Sequence, residues 1–90
     1  MLDIAVCVCT YHRPTTLRHL LETLAEQTLR PREVIVVDND HAGSARDVCE
    51  RFDAPFTIRY AIESVQNISR ARNHALSLAS CPWLAFIDDD

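Results

Sequence analysis

Three consecutive aspartates, Asp88, Asp89 and Asp90, directly follow the apolar run Trp83–Ile87. Carboxylates this close together repel one another and raise each other's proton affinity. A divalent cation relieves that repulsion, because hard ions such as Mg²⁺ or Mn²⁺ take carboxylate oxygens as ligands and often share them with substrate phosphates. The triplet therefore predicts a cation site, and a solvated acidic turn is the alternative.

Alternating strands and helices would have to position these acids. Four apolar runs predict strands buried in a parallel sheet, at Ile4–Cys9, Val34–Val37, Phe56–Ile62 and Trp83–Ile87. Helical spacing of apolar residues predicts three intervening helices, around Leu17–Ala25, Val48–Phe52 and Asn67–Ser80. This alternation predicts an α/β fold, a three-layer sandwich around a mostly parallel sheet with right-handed crossovers, and we expect the strand order 3-2-1-4.

The ends of the helices carry local signals. Thr15 or Thr16 is a candidate cap for the first helix. The run from Ser44 to Asp47 resembles a capping box before the second. In the third helix, Ile68 falls on the apolar side that we expect to face the sheet.

Polar clusters follow three of the predicted strands. They are Thr10-Tyr11-His12-Arg13, Asp38-Asn39-Asp40 and Asp88-Asp89-Asp90. Parallel sheets bind ligands at the carboxyl ends of their strands, where the strand order reverses. Tyr11 is suited to stack on a base or to cover the sheet edge, and Asp38 either accepts a hydrogen bond from a base or caps a turn. The clusters predict one shared site at this rim.

Two arginines near the start of the third helix point to an anion. Arg70 and Arg72 lie where the helix dipole is already positive, and cations are unfavourable there unless an anion is near. Phosphate is suited to such a position. The alternative is that both arginines are exposed and pair with acids such as Glu63.

Composition limits the class of protein. The chain has 90 residues, enough for one domain or part of one, and a net charge of −4, which argues against a nucleic-acid binder. A single glycine leaves no dinucleotide fingerprint and no P-loop. The four cysteines lack zinc-ligand spacing, and we expect small buried thiols in a reducing compartment. No long apolar run occurs, so a cytoplasmic location is expected, with peripheral contact at the inner face of the membrane left open.

The clusters, taken in order, resemble the N-terminal half of a family 2 glycosyltransferase with the GT-A fold. The resemblance spans nearly the whole chain, and five segments carry it: Val8–Pro14, Glu26–Thr28, Glu33–Asp40, Ser69–Leu76 and Phe86–Asp90. It implies that residues 1–90 are the nucleotide-sugar-binding part of such a domain. It also implies transfer of a sugar from a nucleotide-diphosphate donor to a hydroxyl acceptor, assisted by Mg²⁺ or Mn²⁺ and with inversion.

The resemblance also implies roles for individual residues. Those expected to bind the nucleotide sugar are Thr10, Tyr11, Arg13, Asp38, Asn39, Arg72, Asp88 and Asp89. Asp90 matches the position of the metal ligand, with Asp88 as its neighbour in the same D-x-D element. The catalytic base of the family lies in the C-terminal half, beyond Asp90, so no residue here is assigned that role.

Two other functions remain open on the sequence alone. A metal-dependent phosphotransfer domain also places acids at strand ends, but it would need an acidic pair in the loop that Tyr11 and Arg13 occupy, and a lysine, which the chain lacks. A non-catalytic α/β interaction domain would use an open sheet edge. Self-association through that edge, with Trp83 covered, is expected if the chain stands alone.

Overall fold

The computed structural model describes residues 2–88, with side chains described as far as Ile87. Strands and helices alternate strictly along the chain. They are β1 (Leu2–Thr10), α1 (Pro14–Glu26), β2 (Pro31–Asp38), α2 (Arg46–Arg51), β3 (Thr57–Ile62), α3 (Ile68–Leu78) and β4 (Trp83–Asp88). The predicted elements are all present, and their ends differ from the predicted ones by up to three residues.

The four described strands form one parallel sheet in the order β3-β2-β1-β4, as the sequence predicts. Their carboxyl ends lie level with one another. Thr10 of β1 pairs with Asp38 of β2, which pairs in turn with Ile62 of β3. On the other side of β1, Cys9 pairs with Asp88 of β4. The strand order reverses between β1 and β4, so the rim at this point is the expected place for a ligand.

Helices cover both faces of the sheet and bury two separate cores. On one face, α1 contributes Leu17, Leu21 and Leu24, and α2 contributes Cys49, to a cluster with valines of β1 and β2. On the other face, α3 packs small side chains against Ala5, Cys7, Ile35 and Val37. The result is the predicted three-layer sandwich.

The start of α1 differs from the prediction. The amide of Leu17 donates to the carbonyl of Arg13 at 2.9 Å, and Arg13 is the N-cap residue, with Pro14 at the first helical position. Thr15 and Thr16 therefore lie inside the helix, and the prediction that one of them caps it was wrong. Proline accounts for the shift, because its fixed φ and missing N–H suit the first turn.

The capping box predicted at the start of α2 is also absent. The N-cap is Ala45, which has no capping side chain. Carboxylates from the preceding turn take over this role: Asp38 Oδ2 accepts from the amide of Ala45 at 3.0 Å, and Asp40 Oδ2 accepts from that of Ser44 at 3.3 Å. Acceptors four and seven residues earlier in the chain thus hold the start of α2 in place of a cap from within the run Ser44–Asp47.

The outer edge of β4 is apolar and open in the described part of the chain. Trp83 is 71% exposed and Phe86 is 40% exposed. Self-association through this edge stays a prediction. Among residues 2–88, no helix is both long and apolar enough to cross a membrane.

A buried carboxylate ties α3 to the amino-terminal side of the sheet. Glu33 of β2 is 2% exposed and accepts from Arg59 Nε at 2.8 Å, from the Ser80 amide at 2.9 Å and from the Ser80 hydroxyl at 3.1 Å. Burial by itself raises the pKa of this carboxyl, but the hydrogen bonds from Ser80 and Arg59 outweigh burial and bring the pKa below its ordinary value of 4.5. Glu33 therefore fixes the loop that leads into β4.

We expect Glu33→Gln to lower the free energy of unfolding by about 1–3 kcal/mol at neutral pH, since buried donors lose a charged acceptor. The folded-state pKa is depressed, so the stabilisation is complete above the unfolded pKa and is lost as the pH falls through the folded value. Urea unfolding of both proteins should show the difference shrinking below about pH 4.5. Glu22→Gln, at an exposed position of α1, is the control. An unchanged difference down to pH 3 would contradict this account.

Candidate functional site

Backbone hydrogen bonds hold the ends of three strands together at the rim. The amide of Asn39 donates to the carbonyl of Thr10 at 2.9 Å, and the amide of Glu63 donates to that of Asp38 at 2.8 Å. The loops after β1, β2 and β3 therefore leave the sheet side by side. This geometry brings the first two polar clusters of the sequence to one place.

The carboxylate of Asp38 organises the turn that follows β2. The side chain is 0% exposed. Oδ1 accepts from the amide of Asp40 at 3.0 Å, and Oδ2 accepts from the amide of Ala45 at 3.0 Å and from the hydroxyl of Tyr60 at 2.7 Å. The turn-capping role that the sequence left open is the one present. Contact between Asp38 and a base stays a prediction, and it would require this turn to open.

Tyr60 of β3 and Gly43 complete the turn. Burial, followed by the hydrogen bond to Asp38 and the charge of that carboxylate, raises the pKa of the Tyr60 phenol well above its ordinary range. Gly43 has φ +75°, in the left-handed region that favours glycine. A Cβ at Gly43 would lie 3.2 Å from the Tyr60 hydroxyl, so a side chain there would crowd the group that binds Asp38.

A second buried carboxylate, that of Asp40, supports the same turn from the other end. Oδ1 accepts from the amide of Ala42 at 3.0 Å, and Oδ2 lies 3.6 Å from Nδ1 of His12. The bond from Ala42 is the main cause of a lowered pKa at Asp40; burial opposes it, and His12 adds to it. The loop after β1 is thus linked to the turn after β2.

A pocket of about 210 Å³ opens between these two loops and the start of α3. The residues that line it are Cys9, Thr10, Tyr11, Arg13, Asn39 and Ile68. Four of the predicted binding residues are therefore brought together. His12, with φ 53°, turns the loop in the left-handed region, so that its neighbours Tyr11 and Arg13 both line the pocket.

Ile68 corrects one sequence prediction. We expected it to face the sheet, but it is 55% exposed and lines this pocket instead. It lies at the first position of α3, where the chain has not yet reached the sheet that Ala71 and Ala75 contact. With Tyr11, which is 44% exposed, it gives the pocket apolar walls beside the polar Asn39 and the cation of Arg13.

The two arginines of α3 have different surroundings. Arg70 Nε lies 3.7 Å from Glu63 Oε2, which is the alternative that the sequence left open. The guanidinium of Arg72 lies over the ring of Phe86, 5.8 Å from its centroid, on the α3 face of β4. Arg72 is not among the residues that line the pocket. Its predicted contact with the phosphates stays a prediction.

The acidic triplet lies largely outside the described residues. The backbone of Asp88 ends β4 beside Cys9, one residue before Thr10, so the first residue of the triplet reaches the same rim. The side chains of Asp88, Asp89 and Asp90 are not described, and neither their role in binding the sugar nor the metal site is tested. Among the side chains that the structure describes, those of residues 2–87, no three His, Cys, Asp or Glu are grouped to hold a metal ion.

A larger groove lies elsewhere, between α1 and α2. It has a volume of about 500 Å³ and is lined by Arg18, Asp47, Val48, Arg51, Phe52 and Asp53. No strand end and none of the predicted binding residues contributes to it. We favour the smaller pocket as the candidate functional site, because the loops after β1 and β2 bring an aromatic ring, a cation and an amide to it.

Two residues of the site were missed from the sequence, Asp40 and Tyr60, and Glu63 was named only as a partner for the arginines of α3. Asp40 belongs to a polar cluster but no role was predicted for it, although an aspartate two residues after a strand is a common turn former. Tyr60 belongs to β3 and Glu63 to the loop after it, and no local pattern indicates that they support the turn after β2. Their roles come from pairing with β2, which only the sheet order provides.

The sequence is similar to that of known proteins. A profile described as "Glycosyl transferase family 2" matches residues 5–90. The chain is 45% identical to the succinoglycan biosynthesis protein ExoM of Rhizobium meliloti, covering 99% of this chain and 30% of that protein. It is 36% identical to a validoxylamine A glucosyltransferase of Streptomyces hygroscopicus subsp. limoneus, covering 94% of this chain and 20% of that protein. The chain therefore spans less than a third of the length of these curated relatives.

The fold is similar to that of a protein of known structure. Two crystal structures of TarS from S. aureus match 99% of this chain, with TM-scores of 0.85 and 0.81 and sequence identities of 24% and 26%. This chain covers 28% and 17% of them. The likeness supports the three-layer sandwich and its strand order, and we take only the fold from it.

We expect Tyr60→Phe to lower the free energy of unfolding by about 1–2 kcal/mol, because Asp38 loses a donor while it stays buried. Tyr11→Phe is the matched control, since it removes a hydroxyl from an exposed ring. Chemical unfolding followed by circular dichroism measures both. Equal stabilities of the two variants would show that the bond to Asp38 does not hold the turn.

Proposed function

The chain belongs to glycosyl transferase family 2, and on that basis we propose that it forms the donor-binding part of an enzyme that transfers a sugar from a nucleotide-diphosphate donor to a hydroxyl acceptor. The observation that carries this proposal is the pocket at the carboxyl ends of β1 and β2. Inversion at the sugar, a hydroxyl acceptor and a catalytic base beyond Asp90 are expected from the family. A cytoplasmic location stays a prediction from the sequence.

The chemistry of the pocket suits a nucleotide. The ring of Tyr11 and the side chain of Ile68 offer apolar surface for a planar base, and stacking on an aromatic ring contributes about 1–3 kcal/mol per base in single-stranded nucleic-acid complexes. Arg13 places a permanent cation at the same pocket, and an arginine fork matches phosphate oxygens. The buried Thr10 adds a hydroxyl group to the pocket, and Asn39 adds a side-chain amide.

Charge develops on the diphosphate as the bond to the sugar breaks. Arg13 in the pocket and Arg72 further along α3 are the cations of this chain that we assign to the diphosphate, and cations placed where negative charge develops lower the barrier to reaction. Asp88 and Asp89 are assigned to the ribose or the sugar.

The acids after β4 fit a divalent cation by their donor chemistry. Three carboxylates in succession supply only oxygen ligands, which Mg²⁺ and Mn²⁺ prefer, and Asp88 reaches the rim beside the end of β1. Asp90, with Asp88, would hold the ion. When bound, the ion would neutralise charge on the departing diphosphate.

We expect the full-length protein to bind at least one of UDP, dTDP and GDP in calorimetry with Mg²⁺ or Mn²⁺ present. Arg13→Ala should weaken that binding about 10- to 100-fold, the value of one charge-assisted hydrogen bond. Arg18→Ala, one turn into α1 and outside the pocket, is the matched control. Absence of binding to every nucleotide tested would refute the proposed donor site.

Metal dependence is tested separately. With EDTA, we expect affinity for the same nucleotide to fall about 10-fold or more, and added Mn²⁺ to restore it. In Asp90→Asn the affinity should be low and insensitive to Mn²⁺, whereas Asp53→Asn, at an exposed position between α2 and β3, should respond as the parent protein does. A full Mn²⁺ response in Asp90→Asn would remove that residue from the metal site.

A further inference from the structure

The loop after β1 passes through a left-handed residue, His12. Its φ is 53°, and among the described residues it is the one position other than glycine with a positive φ. This region is uncommon for residues with a Cβ, although asparagine, aspartate and histidine enter it more readily than others. With the chain turned in this way, the residues on either side, Tyr11 and Arg13, both line the pocket. The conformation of one residue therefore sets where two pocket residues lie.

The imidazole of His12 lies between the pocket and the turn after β2. Its ring meets the ring of Tyr11 edge to face, with the two centroids 4.2 Å apart. Its Nδ1 lies 3.6 Å from Oδ2 of Asp40, which is longer than a hydrogen bond but within the range of an ion pair. The His12 side chain is 55% exposed, so the hydrophobic core does not hold it. Its position depends on these two contacts.

The carboxylate of Asp40 is a fixed partner for the imidazole. Asp40 is 5% exposed, and its Oδ1 accepts from the amide of Ala42 at 3.0 Å. Its Oδ2 accepts from the amide of Ser44 at 3.3 Å, which is a longer bond, and the same oxygen faces His12. A buried carboxylate needs groups that replace its hydration, and the imidazole is such a group on the side that the turn satisfies less well.

The middle of this loop has fewer ties than its ends. The amide of Asn39 donates to the carbonyl of Thr10 at 2.9 Å, and the amide of Leu17 donates to the carbonyl of Arg13, also at 2.9 Å. In the described part of the chain, the contact with Asp40 is the polar contact that ties the residues between them to another element. Loss of that contact would free the middle of the loop and leave its ends in place.

We propose that His12 is a positioning residue for the donor, because its left-handed backbone and its contact with Asp40 hold the loop after β1 in the shape in which Tyr11 and Arg13 meet the nucleotide. This rests on the proposed function of the same pocket. A loop that is already in its binding conformation loses less conformational freedom when the ligand binds, so the affinity is higher. His12 itself is not among the residues that line the pocket, and it acts through its neighbours.

The backbone and side-chain parts of this role place different demands on the residue. Glycine enters the left-handed region freely but has no side chain to reach Asp40. Asparagine also tolerates this region, and its Nδ2 is separated from Cα by the same number of bonds as Nδ1 of histidine. A β-branched valine meets neither demand. If the backbone conformation alone mattered, glycine would serve at least as well as asparagine.

Calorimetry on the full-length protein compares these variants, with Mg²⁺ or Mn²⁺ present and with the one of UDP, dTDP and GDP that the parent protein binds most tightly. We expect the affinity of His12→Asn to stay within about 3-fold of the parent value, and that of His12→Gly to fall about 3- to 10-fold. In His12→Val the affinity should fall about 10-fold or more. His41→Ala, which removes an exposed imidazole from the turn after β2, should bind as the parent does.

Melting curves are recorded first, and binding is measured well below the melting temperature of every variant. All proteins are then folded, so a difference in affinity is not a difference in the folded fraction. Binding by His12→Gly that equals or exceeds binding by His12→Asn would overturn the role of the Asp40 contact. Equal binding by the parent, His12→Gly and His12→Val would overturn the positioning role as a whole.

A double-mutant cycle with Asp40→Asn tests the contact directly. If His12 acts through the carboxylate, removal of the imidazole costs less affinity once the charge of Asp40 is gone. The loss caused by His12→Gly should therefore be smaller in the Asp40→Asn protein than in the parent, and an equal loss in both would contradict the proposal. If Asp40→Asn fails to fold, the order of His12→Asn and His12→Gly still decides.

The outcomes keep the two proposals apart. If none of UDP, dTDP and GDP binds to the parent protein, the donor site itself is wrong, and the role of His12 falls with it. If a nucleotide binds to the parent and equally tightly to His12→Gly, the donor site stands and the positioning role of His12 is wrong.

Discussion

A fully buried carboxylate, that of Asp38, is the constraint around which the rim of the sheet is built. A charge removed from water is tolerated only when hydrogen bonds replace its hydration. Two backbone amides and the hydroxyl of Tyr60 do so here. These hydrogen bonds hold the chain after β2 in one turn, and they let α2 begin without a capping side chain of its own. The bond from Tyr60 also links β3 to the Asp38 carboxylate at the end of β2.

The alternation of side chains along a strand explains why two neighbouring polar residues act differently. Val34, Val36 and Asp38 share one face of β2, and the two valines belong to the core beneath α1 and α2. Asn39 follows at the end of the strand and meets the loop before α3 instead. Asp38 is therefore buried and hydrogen-bonded within the fold, whereas Asn39 lines the pocket.

The position of α3 explains why its first turn lies beside Asn39 at the rim. Ala71 and Ala75 are fully buried against the sheet, and such small side chains let the helix lie close to it. Asn67 caps the helix by accepting from the amide of Arg70 at 3.1 Å, so the first turn begins at the rim. Ile68 then stands over the pocket, and Glu63 reaches back to the same helix. At the amino-terminal ends of the strands, Glu33 of β2 anchors the other end of α3 by accepting from the amide of Ser80, as Glu63 anchors its start.

The order and type of the elements, the parallel sheet and the family could all be predicted from the sequence, because the apolar runs, the helical periodicity and the polar strand ends are local patterns. It also indicated which residues meet at the rim, since the carboxyl ends of parallel strands share one edge. It could not decide between the two roles of Asp38 or the orientation of the Asn39 amide, because these depend on partners far away in the chain, Tyr60 for Asp38 and the carbonyls of Glu63 and Val65 for Asn39. The caps of α1 and α2 have nearer causes, the adjacent Pro14 and the turn after β2, and Ile68 lies at the first position of α3, before that helix reaches the sheet. Only the tertiary structure brings such groups within hydrogen-bonding distance, because a buried polar atom takes whichever partner the packed sheet places beside it.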